Sequence, residues 1–266
     1  MPETRPETHP EARPMIEVQD LTRRYGDTVV VDGVSLSLPE RAFVSVIGAN
    51  GAGKSTFLSM VSRLLPMSAG RAVVAGLDVA ATPGDVLARR LGILRQEHGV
   101  TARVTIRDLV AFGRYPHSGG RLTAADRAHV ADALAFLDLE PLADRFLDEV
   151  SGGQRQRACI AMVLAQDTDC ILLDEPLNNL DMRHAAAMMG LLRRAVDERG
   201  RTVVAVLHDI NFASCYSDQI VAMRDGKVVA IGPPDRIVTS EILREVYGID
   251  VEVVLIKGYR TAFFYR

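Results

Sequence analysis

Long apolar runs are missing from this 266-residue sequence. None reaches the ~20 apolar residues that a membrane-spanning helix needs, so any work at a membrane has to be done by docking onto a partner. An excess of basic charge is missing too. The formal net charge is −3, which argues against a general nucleic-acid binder, because that role needs a basic footprint. The three cysteines, Cys159, Cys170 and Cys215, are widely spaced and form no CxxC pair. Neither a disulfide framework nor a zinc site is indicated, and a reducing cytosol is the simplest compartment. The N-terminus lacks the apolar core of a secretory signal. Its prolines at positions 2, 6, 10 and 14 sit among charged residues, and residues 1–14 read as a disordered tail.

What is present suits one large domain, or one domain with a subdomain. Hydrophobic residues make up 48% of the chain, enough at this length to bury a large core. Short apolar runs alternate with helical patterns. The segments AFVSVIG (Ala42–Gly48), GILRQ (Gly92–Gln96), CILLDE (Cys170–Glu175) and TVVAVLHD (Thr202–Asp209) read as buried strands. Phe57, Leu58, Val61, Leu64 and Leu65 share one face of a helix expected from Lys54 to Leu65, and Met182–Arg199 is helical with Gly200 as its stop. Such alternation predicts a mostly parallel sheet covered by helices. Two regions depart from it. Residues 15 to about 40 look like antiparallel strands. Residues 97–165 carry almost no strand signal, and Thr123-x-x-Asp126 opens a helix whose apolar face includes Val130, Leu134 and Leu137. A helical subdomain inserted into the sheet domain is expected there. Asp225–Gly226 suits the tight turn of a hairpin, and residues 251–266 alternate like a strand without suggesting a role.

The segment GANGAGKS (Gly48–Ser55) fits G-x-x-x-x-G-K-[ST], with a strand before it and a helix after it. Gly48, Ala49, Asn50, Gly51, Ala52 and Gly53 would aim successive N–H groups at phosphate oxygens, which requires glycine where the backbone is crowded or φ is positive. The helix that starts at the loop adds its positive end. Lys54 is a point charge for the β- and γ-phosphates, and Ser55, followed by Thr56, offers a hydroxyl to Mg²⁺. The spacing is not the G-x-G-x-x-G of a dinucleotide loop. CILLDEP puts two carboxylates at the end of an apolar strand. Asp174 can hold Mg²⁺ and Glu175 can polarise an attacking water; the bland alternative is an acidic pair that merely faces solvent. His208 and Gln96 end two other strands at the carboxyl edge, where such sheets place their sites. His208 suits sensing of a γ-phosphate, and the Gln96 amide could reach Mg²⁺ or the water. SGGQRQRA (Ser151–Ala158) reads as a second anion-binding helix start. Its Arg155 and Arg157 either approach a nucleotide or simply decorate the first turns. His9, His98, His117, His129 and His184 lack such placement and receive no chemistry.

In this order these residues resemble the ATP-binding cassette family, the nucleotide-binding subunits of ABC transporters, from about Met15 to Tyr247. GANGAGKST resembles the Walker A loop, CILLDE the Walker B strand, Gln96 the Q-loop, NNLD (Asn178–Asp181) the D-loop and His208 the switch histidine. VSGGQ matches the family signature, with Val150 where leucine is usual. The resemblance implies an α/β P-loop NTPase cassette: a RecA-like core with a mostly parallel sheet, an antiparallel β subdomain and an inserted α-helical subdomain. That would make residues 15–250 the ATPase domain and 251–266 a C-terminal extension. It implies Glu175, His208 and Gln96 as catalytic residues, and Mg²⁺ at Ser55, Gln96 and Asp174. ATP would meet Gly48 to Thr56 and stack its adenine on Tyr25, which is otherwise a plain strand-end tyrosine. Two copies would pair head to tail, so that Ser151, Gly152, Gly153 and Gln154 of one copy, with Asp181 nearby, close on the other copy's ATP.

The stretches FGRYPHSGGRLTAADR, AQDTDCILLDEPLNNLDMRH and LHDINFASCYSDQIVAMRDGKVVAIGPP are similar to cassettes of iron–siderophore importers, particularly those for catecholate-type siderophores. This implies a peripheral protein on the cytoplasmic side of the cell membrane. Its partners would be transmembrane permease subunits, a second copy of itself and, indirectly, an extracytoplasmic siderophore-binding protein, with no nucleic acid. Haem, cobalamin or a metal ion are the alternative cargoes. A soluble cassette ATPase acting on DNA or ribosomes is another class, but those usually carry two cassettes or a long coiled coil. A P-loop kinase would leave VSGGQ and Gln96 unexplained.

Overall fold

The computed structural model describes residues 14–95, 103–178 and 180–264. Its centre is a six-stranded sheet in the order β10-β9-β3-β8-β7-β6. The strands are β3 (Phe43–Ile47), β6 (Leu91–Leu94), β7 (Cys170–Asp174), β8 (Thr202–Val206), β9 (Gln219–Arg224) and β10 (Lys227–Gly232). All neighbours run parallel except β10, which is antiparallel to β9. A second sheet, fully antiparallel, has the order β2-β1-β4-β5, with β1 (Ile16–Tyr25), β2 (Thr28–Leu38), β4 (Ala69–Val74) and β5 (Leu77–Asp78). The sequence pattern points to β1 and β2 alone; β4 and β5 are too short and mixed in burial to show a clear period.

The five residues of β3, of β7 and of β8 are all buried. Strands covered on both faces have no reason to alternate in polarity, hence the continuous apolar runs. Alternation survives as a division of the core. Phe43, Ile47, Ile171, Leu173, Val203 and Ala205 belong to one apolar cluster, and Val44, Val46, Cys170, Leu172, Val204 and Val206 to another. The second cluster includes α1 (Lys54–Val61) and the inner side of the antiparallel sheet. Helix α1 is shorter than its apolar pattern implies. Arg63 takes a left-handed backbone conformation, with φ of 61°, and Leu64 is half exposed.

The first cluster joins the sheet to most of the helices. Between α2 (Gly84–Ala88) and β7 lie α3 (Ile106–Phe112), α4 (Tyr115–Ser118), α5 (Ala124–Phe136) and α6 (Gly152–Ala165); after β6, no strand occurs among the described residues of this block. Capping boxes start α3 at Thr105 and α5 at Thr123. The buried Arg114 side chain binds the block together. Its Nε donates to Asp126 Oδ1 at 3.0 Å and its Nη1 to the Ala165 carbonyl at 2.8 Å, at the end of α6. Gln166 then donates to the carbonyls of Ala88 and Leu91, tying the block to β6.

Helix α7 (Met182–Asp197) ends with Gly200 at a φ of 61° donating back to the Val196 carbonyl. After it come α8 (Ile210–Tyr216), α9 (Pro234–Ile237) and α10 (Ser240–Tyr247). The turn between β9 and β10 is Asp225–Gly226, both at positive φ (50° and 78°), as a two-residue hairpin requires. A hairpin of β11 (Glu252–Ile256) and β12 (Tyr259–Phe263) follows α10.

Candidate active site

The strand β3 delivers the chain to the sheet edge at Gly48, where it turns into α1. Gly48, Gly51 and Gly53 have φ values of 150°, 81° and 93°. Two of them also lack room for a side chain. A Cβ on Gly48 would lie 2.2 Å from the Met223 carbonyl oxygen, and one on Gly53 would lie 2.7 Å from that of Val30. The Asp225–Gly226 turn supports the loop from behind: Gly226 N–H donates to the Ala52 carbonyl and Asp32 N–H to the Gly226 carbonyl. The loop thus rests between β2 and the β9–β10 turn.

Around it lies a cavity of about 480 Å³, lined by Val30, Asn50 to Thr56, Glu175 and His208. Lys54 is 5% exposed and donates from Nζ to the carbonyls of Gly48 and Ala49, at 2.8 and 2.9 Å. Burial pulls its ammonium below the usual lysine range, against the opposing pull of Glu175 and Asp174. Ser55 Oγ donates to Asp174 Oδ1 at 2.8 Å. Burial raises the Asp174 carboxyl above its ordinary value, while the Ser55 hydroxyl pulls it down and the Glu175 charge pushes it further up. Residues more than a hundred positions apart on the chain thus meet at one point, because β3, β7 and β8 end at the same edge.

Glu175 leaves β7 in a left-handed conformation, with φ of 54°, a backbone state that costs a non-glycine residue about 1–3 kcal/mol. The bend turns its side chain back across the edge. Oε1 lies 2.8 Å from His208 Nε2, and Oε2 accepts from the Asn178 side-chain amide. Gln156, on α6, holds the next residue by donating to the Pro176 carbonyl at 3.0 Å. The sequence reading assigns no role to either Asn178 or Gln156. Asn178 belongs to a recognisable motif, but its reach back to Glu175 depends on the turn that Glu175 itself makes.

The other expected site residues divide in three. Tyr25 stands at the end of β1, half exposed, with the Arg23 guanidinium 4.4 Å over its ring; it does not line the phosphate cavity. Ser151 to Gln154 and Asp181 also lie outside the cavity. Gln96 falls outside the described residues. At the second helix start, Ser151 Oγ accepts from Gln154 N–H at 3.3 Å and Gln154 Oε1 accepts from Ser151 N–H at 3.0 Å. Arg155 and Arg157 are tied within the chain, donating to the carbonyls of Leu147 and Leu137. His184, given no chemistry from sequence, has a structural place. Its N–H and Nδ1 meet Asp181 Oδ1, each at 2.8 Å, and its ring faces Gly153, where an added Cβ would lie 3.0 Å away.

A phosphate loop with a buried lysine, two carboxylates at the next strand end and a histidine facing them define a P-loop ATPase. The chain belongs to the ABC transporter family, whose profile matches residues 31–178. It is 46% identical over 251 residues to the petrobactin import ATP-binding protein YclP of Bacillus subtilis (strain 168), covering 94% of this chain and 100% of that one. With the ferric enterobactin transport ATP-binding protein FepC of Escherichia coli (strain K12) it shares 40% identity over 238 residues, covering 89% and 88%. Among solved structures, the dimeric post-hydrolysis state of the ATP-binding cassette MJ0796, bound to ADP and Pi, superposes with a TM-score of 0.73 and 28% identity, covering 83% of this chain and 99% of that one.

Proposed function

We propose that this chain is the ATP-hydrolysing subunit of an importer of iron–siderophore complexes, docked on the cytoplasmic side of the membrane through a permease. The observation that carries the reading is the convergence of Lys54, Ser55, Asp174, Glu175 and His208 on one sheet edge, in a chain similar over nearly its whole length to siderophore import cassettes.

In this reading Lys54 exchanges its two carbonyl acceptors for β- and γ-phosphate oxygens, helped by the positive end of α1. Ser55 and Asp174 form an all-oxygen donor pair, which suits a hard cation such as Mg²⁺ that completes its shell with phosphate oxygens and water. When bound, Mg²⁺ neutralises charge on the phosphates. Glu175 accepts a proton from the attacking water, and His208 and Asn178 orient its two oxygens. Ser151, Gly152 and Gly153 of a second copy close the site. The permease docks on the helical block. Phe112 and Tyr115 are 55% and 65% exposed there, and large exposed aromatic side chains are typical anchors of interfaces. No helix among the described residues is long and apolar enough to cross a membrane.

The purified Glu175→Gln variant should bind ATP and dimerise, while turnover falls about 10²–10⁴-fold; normal hydrolysis would overturn the role of Glu175. In cells lacking this chain, uptake of radiolabelled iron as its petrobactin or enterobactin chelate should be lost and should return with the wild type only. Loss of haem or cobalamin uptake with intact iron–siderophore uptake would reassign the cargo.

A further inference from the structure

The backbone that leaves β7 is bent out of its usual preferences at the residue assigned as the base. Glu175 has a φ of 54° and precedes Pro176, and a residue before proline ordinarily takes extended backbone. Such a state persists only where the surroundings over-determine it. Part of the constraint is local. Asn178 N–H donates to the Glu175 carbonyl at 3.2 Å, closing a turn with Pro176 at its second position, where the ring-fixed φ fits. The Asn178 side-chain amide also meets Glu175 Oε2. The turn from Glu175 to Asn178 is therefore one stiff piece, with Glu175 as its first residue.

A turn that is stiff within itself still has to be aimed. Gln156 Nε2 donates to the Pro176 carbonyl at 3.0 Å, across 20 positions of sequence. No other donor reaches that oxygen among the described residues. The bond comes from α6, one turn beyond Gly152 and Gly153. Pro176 is buried and Gln156 half-buried, which limits competition from water. The helix is also a fixed point from which to hold the turn. Its Ile160 and Leu164 belong to the same apolar cluster as Ile171 and Leu173 of β7.

We propose, on the reading of Glu175 as the base, that Gln156 is a positioning residue for hydrolysis: through the Pro176 carbonyl it aims the Glu175 turn so that the carboxylate stays at the phosphate cavity. The helix whose first turn closes on the second copy's ATP then also aims the base for this chain's own ATP. Gln156 lies outside the cavity, so it acts on turnover and not on nucleotide binding.

The test is a double-mutant cycle on the purified full chain, read as single-turnover hydrolysis of radiolabelled ATP at saturation. Gln156→Ala should lower the rate about threefold to tenfold, the worth of one neutral hydrogen bond, with ATP affinity unchanged. In the Glu175→Gln background the same substitution should leave the residual rate as it is, because its route runs through Glu175. A side chain that merely supported the fold would lower the rate by the same factor in both backgrounds. Gln156→Glu keeps the side-chain shape but, when ionised, has no proton to donate, and at neutral pH it should lose turnover as Gln156→Ala does. Wild-type turnover in either variant of Gln156, an equal loss with and without Glu175, or loss of ATP-driven dimerisation on adding Gln156→Ala to Glu175→Gln would each overturn the proposal. Failure of the active-site reading shows separately, as normal hydrolysis by Glu175→Gln with Gln156 intact.

Discussion

Gly53, before α1, has no side chain with which to cap that helix, whereas Ser151, before α6, carries one half of a capping box and Gln154 the other. The two helix starts share the positive end that attracts anions, but the chain finishes them differently. The first lies in a cavity lined by Lys54 and Ser55, and Ser55 is bonded in turn to Asp174. The second is exposed and provisionally satisfied by its own Ser151 and Gln154. Its 3.3 Å cap is longer than the usual range for such a bond; under the proposed function it is the contact that the other copy's phosphate replaces. In the proposed reading one start is a site by itself and the other is half of a site that a second copy completes, which gives a single chain a use for both.

Lys54→Ala should separate the two halves most strongly. Each lost charge-assisted bond costs about 1.5–3 kcal/mol, so ATP affinity of the monomer should fall about a hundredfold or more in a fluorescent-nucleotide titration. Gly153→Leu is the mirror experiment. ATP affinity should stay within about twofold, since the residue lies outside the cavity, while turnover and ATP-driven dimerisation should vanish. A variant of Gly153 that bound no ATP would break the comparison.

Asp126→Asn should act at a distance, by loosening the block that presents α6. Hydrogen bonds from the Thr123 hydroxyl, the Thr123 N–H and the Arg114 guanidinium hold the Asp126 carboxyl far below the usual carboxylate range. A depressed folded-state value contributes stability above the unfolded value, about 3.9, and that contribution drains away as pH falls below it. The thermal stability gap between wild type and Asp126→Asn should thus be full at neutral pH and shrink below about pH 4. ATP affinity should not follow it. The smallest effect is expected at Tyr25. Tyr25→Leu should weaken ATP binding about threefold to tenfold, the worth of one aromatic stacking contact, about 0.5–1.5 kcal/mol, with turnover at saturating ATP unchanged.

Much of this is legible in the sequence. The phosphate loop is recognisable because its glycines answer to local needs, positive φ and close backbone approach at Gly48 and Gly53. The parallel strands show themselves because burial on both faces demands unbroken apolar runs. Less legible are ends and partners. Leu64 fits the apolar face of α1 by its spacing, but the left-handed turn at Arg63 exposes it. The short β4 and β5 are recognisable only through the register they share with β1 and with each other.

The order of motifs by itself determined the class of chemistry, since each motif is a local solution to binding a phosphate, a cation or a water. Only the tertiary structure decided which side chains hold those groups in place. Asn178 reaches Glu175 because the chain bends at Glu175, Gln156 braces Pro176 across more than one element, and His184 fills the space that Gly153 leaves. Those contacts join residues through strand ends and helix faces that meet in space. A local pattern carries no record of where two faces will meet, because that depends on how the whole core packs.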